Sequence, residues 1–152
     1  MAGPQSPRWT HIAIPSADLD ATIAWYERFT PLRLLTRRED KDGQSAWLSH
    51  EGQVENPFVL VIVMFWKDQG KHQPMLAPFP HIGIEMPSRD DVDRIAELGR
   101  EAGCLAWPAT DMPDPVGYIC AVTDPDGNVI EISHNQGVYD KVQEVWGASS
   151  AR

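Results

Sequence analysis

The chain has 152 residues, about one domain's worth, and its 42% hydrophobic and 23% charged residues are the proportions of an ordinary globular protein. A formal net charge of -9 argues against nucleic acid and against an anionic membrane surface as partners, because both would repel the protein. No run approaches the roughly 18 apolar residues of a membrane span, and the first residues lack a secretion signal, which predicts a cytoplasmic location.

The first half of the chain has the pattern β-α-β-β-β. Residues 9–15 alternate and stop at a proline, as in a short strand, and residues 17–29 repeat apolar side chains at helical spacing behind Ser16 or Asp18 as the cap. Alternation and turn residues predict three further strands, at residues 32–39, 45–50 and 57–65. A polar stretch interrupted by glycine and proline predicts a linker over residues 66–78.

The same order of elements returns after the linker. A strand is predicted at residues 80–84, and a helix at residues 89–102 with Ser88 as its cap and Gly103 as its end. Strands are predicted at residues 105–110, 118–123 and 129–133. The tail predicts a helix over about residues 136–148, whose apolar stripe either docks on its own domain or covers a partner subunit.

A short histidine motif opens both halves. The sequence His11-Ile-Ala-Ile returns 70 positions later as His81-Ile-Gly-Ile, and each copy leads through Pro-Ser into a predicted helix. Repetition at this period indicates two copies of one structural unit. His11 and His81 are therefore expected at equivalent positions.

Glu131 is the third residue of interest. It follows the turn Asp124-Pro-Asp-Gly-Asn, and strand alternation puts it on the face opposite Ile130 and Ile132. One histidine near a strand start is more often a structural residue than a ligand, but two at repeated positions together with an inward acid favour a metal site. His11, His81 and Glu131 are thus the predicted ligands of one divalent ion, with Fe²⁺, Mn²⁺, Zn²⁺ and Ni²⁺ left open, and three coordination positions would remain for substrate.

Three residues are candidates for catalysis. Glu131 itself is one, and Glu85 shares the face of His81 at a distance along the strand that suits contact with substrate better than contact with the metal. Tyr118 is a hydrogen-bonding group whose orientation the sequence leaves open. Cys104 and Cys120 are too few for a disulfide framework and lack C-x-x-C spacing, so both are predicted to be reduced and structural.

The two histidine motifs and the run Asp-Pro-Asp-Gly-Asn-Val-Ile-Glu resemble the vicinal oxygen chelate superfamily, over roughly residues 9–135. This superfamily includes glyoxalase I, bleomycin resistance proteins, fosfomycin resistance enzymes and extradiol dioxygenases. The resemblance implies an α+β fold in which two tandem β-α-β-β-β modules form an open, cup-shaped mixed β-barrel with flanking helices. It implies one domain over residues 1–152, with modules at about 8–65 and 79–135, and it implies a homodimer that binds a small-molecule substrate.

Departures from the family pattern narrow the function. Residues 58–64 contain no carboxylate, although glyoxalase I has a fourth ligand there, and Ala121 stands where extradiol dioxygenases have a tyrosine. Both classical reactions are therefore disfavoured. Two hypotheses remain. The first is a metal-dependent enzyme that chelates vicinal oxygens of a small or aromatic substrate, either a lyase or isomerase that uses Lewis-acid chemistry or a dioxygenase. The second is a protein that binds a small molecule or sequesters a drug, as bleomycin resistance proteins do.

Overall fold

A computed structural model describes residues 3–147 of the chain, which fold as two compact units. The first unit contains residues 3–75 together with 125–127, and the second contains residues 76–124 and 128–147. Each unit holds one four-stranded mixed sheet. No helix in the described part of the chain combines the length and the apolar character needed to cross a bilayer.

The first unit packs one helix on its sheet. Its elements are β1 (His11–Pro15), α1 (Leu19–Phe29), β2 (Arg33–Glu39), β3 (Gly43–Ser49) and β4 (Val59–Phe65). The strand order is β1-β4-β3-β2, with β1 parallel to β4 and the other neighbours antiparallel. Asp18 caps α1 by accepting a hydrogen bond from the backbone N–H of Ala21, and apolar residues of the helix and sheet form the core, among them Leu19, Tyr26, Phe29, Leu48, Leu60 and Ile62.

The second unit repeats this arrangement. Its elements are β5 (His81–Glu85), α2 (Arg89–Ala102), β6 (Leu105–Met112), β7 (Gly117–Thr123), β8 (Val129–His134) and α3 (Val138–Trp146). The strand order is β5-β8-β7-β6, with β5 parallel to β8. Ser88 caps α2, and Gly103 ends it with a φ of 73°, which glycine adopts without steric cost. The repeated β-α-β-β-β order and the α+β class predicted from the sequence are confirmed.

Helix α3 is the least buried of the three helices. None of its residues is buried, and its apolar side chains Val138, Tyr139, Val142, Val145 and Trp146 remain exposed. It is shorter than predicted, and residue 148 lies outside the described residues. The expectation that this stripe covers a partner subunit stays a prediction.

The turn before β8 is fixed by buried polar groups. Asn128 is fully buried, and its carboxamide donates to Asp124 Oδ2 at 3.0 Å and accepts from the backbone N–H of Leu76 at 2.9 Å. Its backbone N–H donates to Asp124 Oδ1 at 2.9 Å. These bonds fix the start of β8, and so they set which face of the sheet each following residue occupies.

Both cysteines are free, and they differ in environment. Cys120 is fully buried, and burial raises the pKa of its thiol to about 12, whereas Cys104 is half-buried. Because the thiolate is the reactive form, native protein at mildly alkaline pH is expected to react with one equivalent of Ellman's reagent, at Cys104. A C104S variant should show no fast reaction. Two fast equivalents in the native wild type would contradict this assignment.

Candidate metal centre

Strands β5 and β8 bring His81 and Glu131 together in the second unit. The parallel register pairs His81 with Val129 and Gly83 with Glu131, so both side chains project from the same face of adjacent strands. A Cβ atom at Gly83 would lie 3.8 Å from Glu131 Oε1, an ordinary contact distance. The small residue at position 83 therefore leaves room beside the carboxylate.

Glu131 lies on the face of the sheet opposite α2. The register pairs Cys120 with Ile132 and Ala121 with Glu131, and the Cys120 thiol donates to the Val92 carbonyl of α2 at 3.6 Å. The isoleucines of β8 thus face the helix, as predicted, and Glu131 faces away from it. Its side chain is nevertheless buried, with the residue only 5% exposed. A carboxylate that is shielded from water to this extent needs a partner that compensates for its lost hydration.

The imidazole of His81 is held in a defined state. Its Nδ1 lies 2.7 Å from the carbonyl oxygen of Phe79, and because a carbonyl can only accept, Nδ1 carries the proton. Its Nε2 faces Glu131 Oε2 at 3.5 Å. With the proton on Nδ1, the Nε2 lone pair and the oxygen of Glu131 point towards each other, an arrangement that a cation between them would stabilise. A nitrogen and an oxygen donor presented in this way suit a divalent first-row ion.

Gln136 completes this cluster, and sequence reasoning missed it. Its carboxamide Nε2 donates to Glu131 Oε1 at 2.9 Å, and its backbone N–H donates to Glu85 Oε1 at 2.9 Å. The chain returns towards these acids at Asn135, which has a φ of 59°. The Asn-Gln-Gly sequence after β8 was the available signal, because asparagine and glycine favour such turns.

Aromatic rings flank His81. The ring of Phe79 lies edge-on to the imidazole at a centroid distance of 5.5 Å, and the ring of Trp107 does so at 5.3 Å. Phe79 is 73% exposed, so most of its side chain is accessible to solvent. The imidazole is thus flanked by an apolar surface open to small molecules.

Ser133 adds a buried hydroxyl on the same face. It is fully buried, it pairs in register with Glu85, and its Oγ has no hydrogen-bond partner within residues 3–147. Buried polar atoms in folded proteins are usually paired. Its position two residues beyond Glu131 makes it a further polar group of the candidate centre.

The structure separates Tyr118 from this centre. Tyr118 pairs with His134 on the helix-covered face of the sheet, and its hydroxyl donates to Asp93 of α2 at 2.5 Å. That hydrogen bond raises the pKa of Tyr118. The Arg89 guanidinium stacks on the ring at 3.6 Å and forms a two-bond ion pair with Asp111. These contacts attach α2 to the sheet and lie on the face opposite Glu131, so a catalytic role for Tyr118 gains no support.

His11 lies in the first unit, at the position on β1 that His81 occupies on β5. Its register partner is Val59, as Val129 is the partner of His81. The side chain is exposed, and its Nδ1 lies 2.8 Å from Thr10 Oγ1. Within the described residues, neither unit by itself groups three or more His, Cys, Asp or Glu side chains as a metal would require. The second unit brings two possible donors together, and His11 is the residue of the first unit at the position equivalent to His81.

The position equivalent to Glu131 in the first unit is Val61. It pairs with Ala13 as Glu131 pairs with Gly83, and it is 9% exposed. The sequence has no acid in residues 58–64, and the register shows that Val61 is the residue at the position of Glu131. The two units have the same strand register, but this position holds an apolar residue in the first unit and an acid in the second.

The sequence model of the Glyoxalase/Bleomycin resistance protein/Dioxygenase superfamily matches residues 8–132. The chain belongs to this superfamily. Pseudomonas aeruginosa protein PA2024, whose name leaves its function uncharacterised, is 41% identical over 133 residues, covering 86% of this chain and 91% of that protein.

Solved structures of the superfamily share the fold. The trypanothione-dependent glyoxalase I of Leishmania major is 20% identical, with a TM-score of 0.63 over 97% of this chain and 100% of that one. The Listeria monocytogenes fosfomycin resistance protein FosX is 17% identical, with a TM-score of 0.62 over 87% of this chain and 94% of that one. Membership of the superfamily confirms the resemblance seen in the histidine motifs and in the turn before Glu131.

Proposed function

We propose that the chain is a divalent-metal-dependent enzyme of the superfamily, with His11, His81 and Glu131 as the ligands. The arrangement of His81 and Glu131 carries the proposal. The Phe79 carbonyl fixes the proton on Nδ1 of His81, which directs Nε2 towards a buried carboxylate 3.5 Å away. A hydrogen bond from the second nitrogen to a backbone carbonyl is the usual way in which a metal-binding histidine is oriented.

A bound divalent ion would supply Lewis acidity for vicinal oxygens of the substrate and, if the metal is iron, a position for dioxygen. The chain's own residues provide the rest of the centre. His81 is neutral and Glu131 carries one negative charge, so a divalent cation bound by them would leave the centre with a net positive charge. Such a centre favours a chelating substrate that is an anion. Glu85 is exposed at the end of β5, where it can contact substrate beyond the metal.

The surroundings of His81 suit a substrate with an apolar or aromatic group. Phe79 and Trp107 present their rings beside the imidazole, and Phe79 is largely exposed. Such surfaces bind planar groups by stacking and by exclusion of water. The structure of the Listeria relative contains Mn(II) and a dihydroxypropylphosphonic acid, a small molecule with neighbouring hydroxyl groups. We propose that this chain binds a ligand of the same kind. A cytoplasmic location and a homodimer are further parts of the proposal.

Metal analysis tests the proposal. Protein purified without chelators is expected to contain about one equivalent of a divalent transition metal per chain. Treatment with a chelator should remove the metal, and re-addition should restore turnover of a vicinal diol, hydroxy-ketone or catechol, with oxygen consumption marking dioxygenase chemistry. Protein that takes up no stoichiometric metal, yet binds aromatic ligands tightly without turnover, would favour a sequestering protein instead.

A further inference from the structure

The segment after β8 returns to the carboxylate of Glu131. Asn135 has a φ of 59°, the left-handed conformation that asparagine tolerates better than most residues. The next residue, Gln136, contacts two acids at once: its backbone N–H donates to Glu85 and its side chain donates to Glu131, both at 2.9 Å. Gly137 is then held by a 2.8 Å hydrogen bond from its N–H to the Pro115 carbonyl. Gln136 is therefore fixed through its own backbone and through the residue that follows it.

The two oxygens of Glu131 consequently differ. Oε1 accepts the hydrogen bond from Gln136, while Oε2 faces Nε2 of His81 at 3.5 Å. A carboxylate with one oxygen engaged presents the other as a single donor and cannot rotate freely. Because the residue is only 5% exposed, water is a weak competitor for this hydrogen bond.

We propose that Gln136 is a positioning residue, which orients Glu131 as a one-oxygen metal ligand through a neutral hydrogen bond anchored by Glu85. The inference rests on the proposed function. The neutrality of the donor matters, since a lysine or arginine in this place would neutralise Glu131 and compete with the metal cation. Glutamine supplies the hydrogen bond and leaves the full negative charge for the metal.

Calorimetric titration of metal-free protein with Co²⁺ tests the inference, and the visible absorption of the bound Co²⁺ reports its coordination. Gln136→Met, which keeps the length of the side chain and removes the donor, is expected to weaken Co²⁺ binding by about 10-fold or more, the usual effect of losing a partner of a ligand. Its Co²⁺ spectrum should also change, because an unrestrained carboxylate can bind through both oxygens. Gln143→Met on the exposed face of α3 is the matched control and should bind as the wild type does.

The variant Gln136→Lys distinguishes a residue that orients Glu131 from one that only stabilises the fold. Lysine keeps a donor near Glu131, so the metal-free variant should melt no lower than the wild type, yet its Co²⁺ affinity should fall at least as far as that of Gln136→Met. If Gln136→Met fails to fold, Glu85→Ala, which releases the backbone anchor, should show a loss in the same direction. Equal affinity and spectra in Gln136→Met and Gln143→Met would overturn the inference while leaving the metal site intact. A wild type that binds no Co²⁺ would overturn the proposed function, and the role of Gln136 with it.

Discussion

Glu131→Gln is expected to lower the affinity for divalent metal more than about 100-fold. Loss of a residue that merely supports a ligand already costs roughly 10-fold to 100-fold, and this substitution removes the charged donor itself. The new amide keeps the shape of the side chain, and its oxygen can still accept from Gln136. The metal-free variant should therefore be at least as stable as the wild type, because it no longer buries a carboxylate. Calorimetric titration with Co²⁺ and thermal melting without metal measure the two effects.

A matched substitution on the surface provides the control. Glu55→Gln changes the net charge by the same amount in an exposed loop, so its metal affinity should equal that of the wild type. A metal ligand is expected to show both effects together: its substitution weakens metal binding and does not lower the stability of the metal-free protein. An affinity of Glu131→Gln within twofold of the control would remove Glu131 from the ligand set.

Asn128→Ala is expected to destabilise the protein by about 3 kcal/mol, because one buried and one half-buried group each lose a partner at a cost of roughly 1–3 kcal/mol. The groups are the Asp124 carboxylate and the Leu76 amide, which the Asn128 side chain joins. Since Asn128 is fully buried, water cannot easily replace the lost hydrogen bonds. Urea unfolding should show a lower midpoint with an unchanged slope.

Asn56→Ala in an exposed loop is the control for Asn128→Ala, and it should change the free energy of unfolding by no more than about 0.5 kcal/mol. A similarly small effect at Asn128 would mean that the buried turn contributes little to stability. In that case the start of β8 would have to be fixed by the sheet alone.

Local patterns in the sequence predicted much of the fold. Ser88 and Gly103 mark the ends of α2, and the structure confirms both. The alternation around Glu131 correctly placed it opposite Ile130 and Ile132, since side chains on a strand change face at every residue. These features depend on neighbours in the sequence, so the sequence is enough to predict them.

Other parts of the candidate centre depend on contacts that local patterns do not contain. The face occupied by Tyr118 follows from the register between β7 and β8, which pairs it with His134. Gln136 lies outside every periodic segment, and it reaches Glu131 only because the chain reverses at Asn135. The tautomer of His81 likewise depends on the carbonyl of Phe79, and no pattern of residue types encodes that hydrogen bond.

The register of β4 has an evolutionary consequence. Val61 occupies in the first module the place that Glu131 occupies in the second, with Ala13 beside it where Gly83 stands in the other copy. Two of the four valine codons differ from a glutamate codon by a single base. A chain with this repeat can thus gain or lose a second carboxylate in one mutational step, and with it an additional ligand or a base, without rebuilding the sheet that carries it.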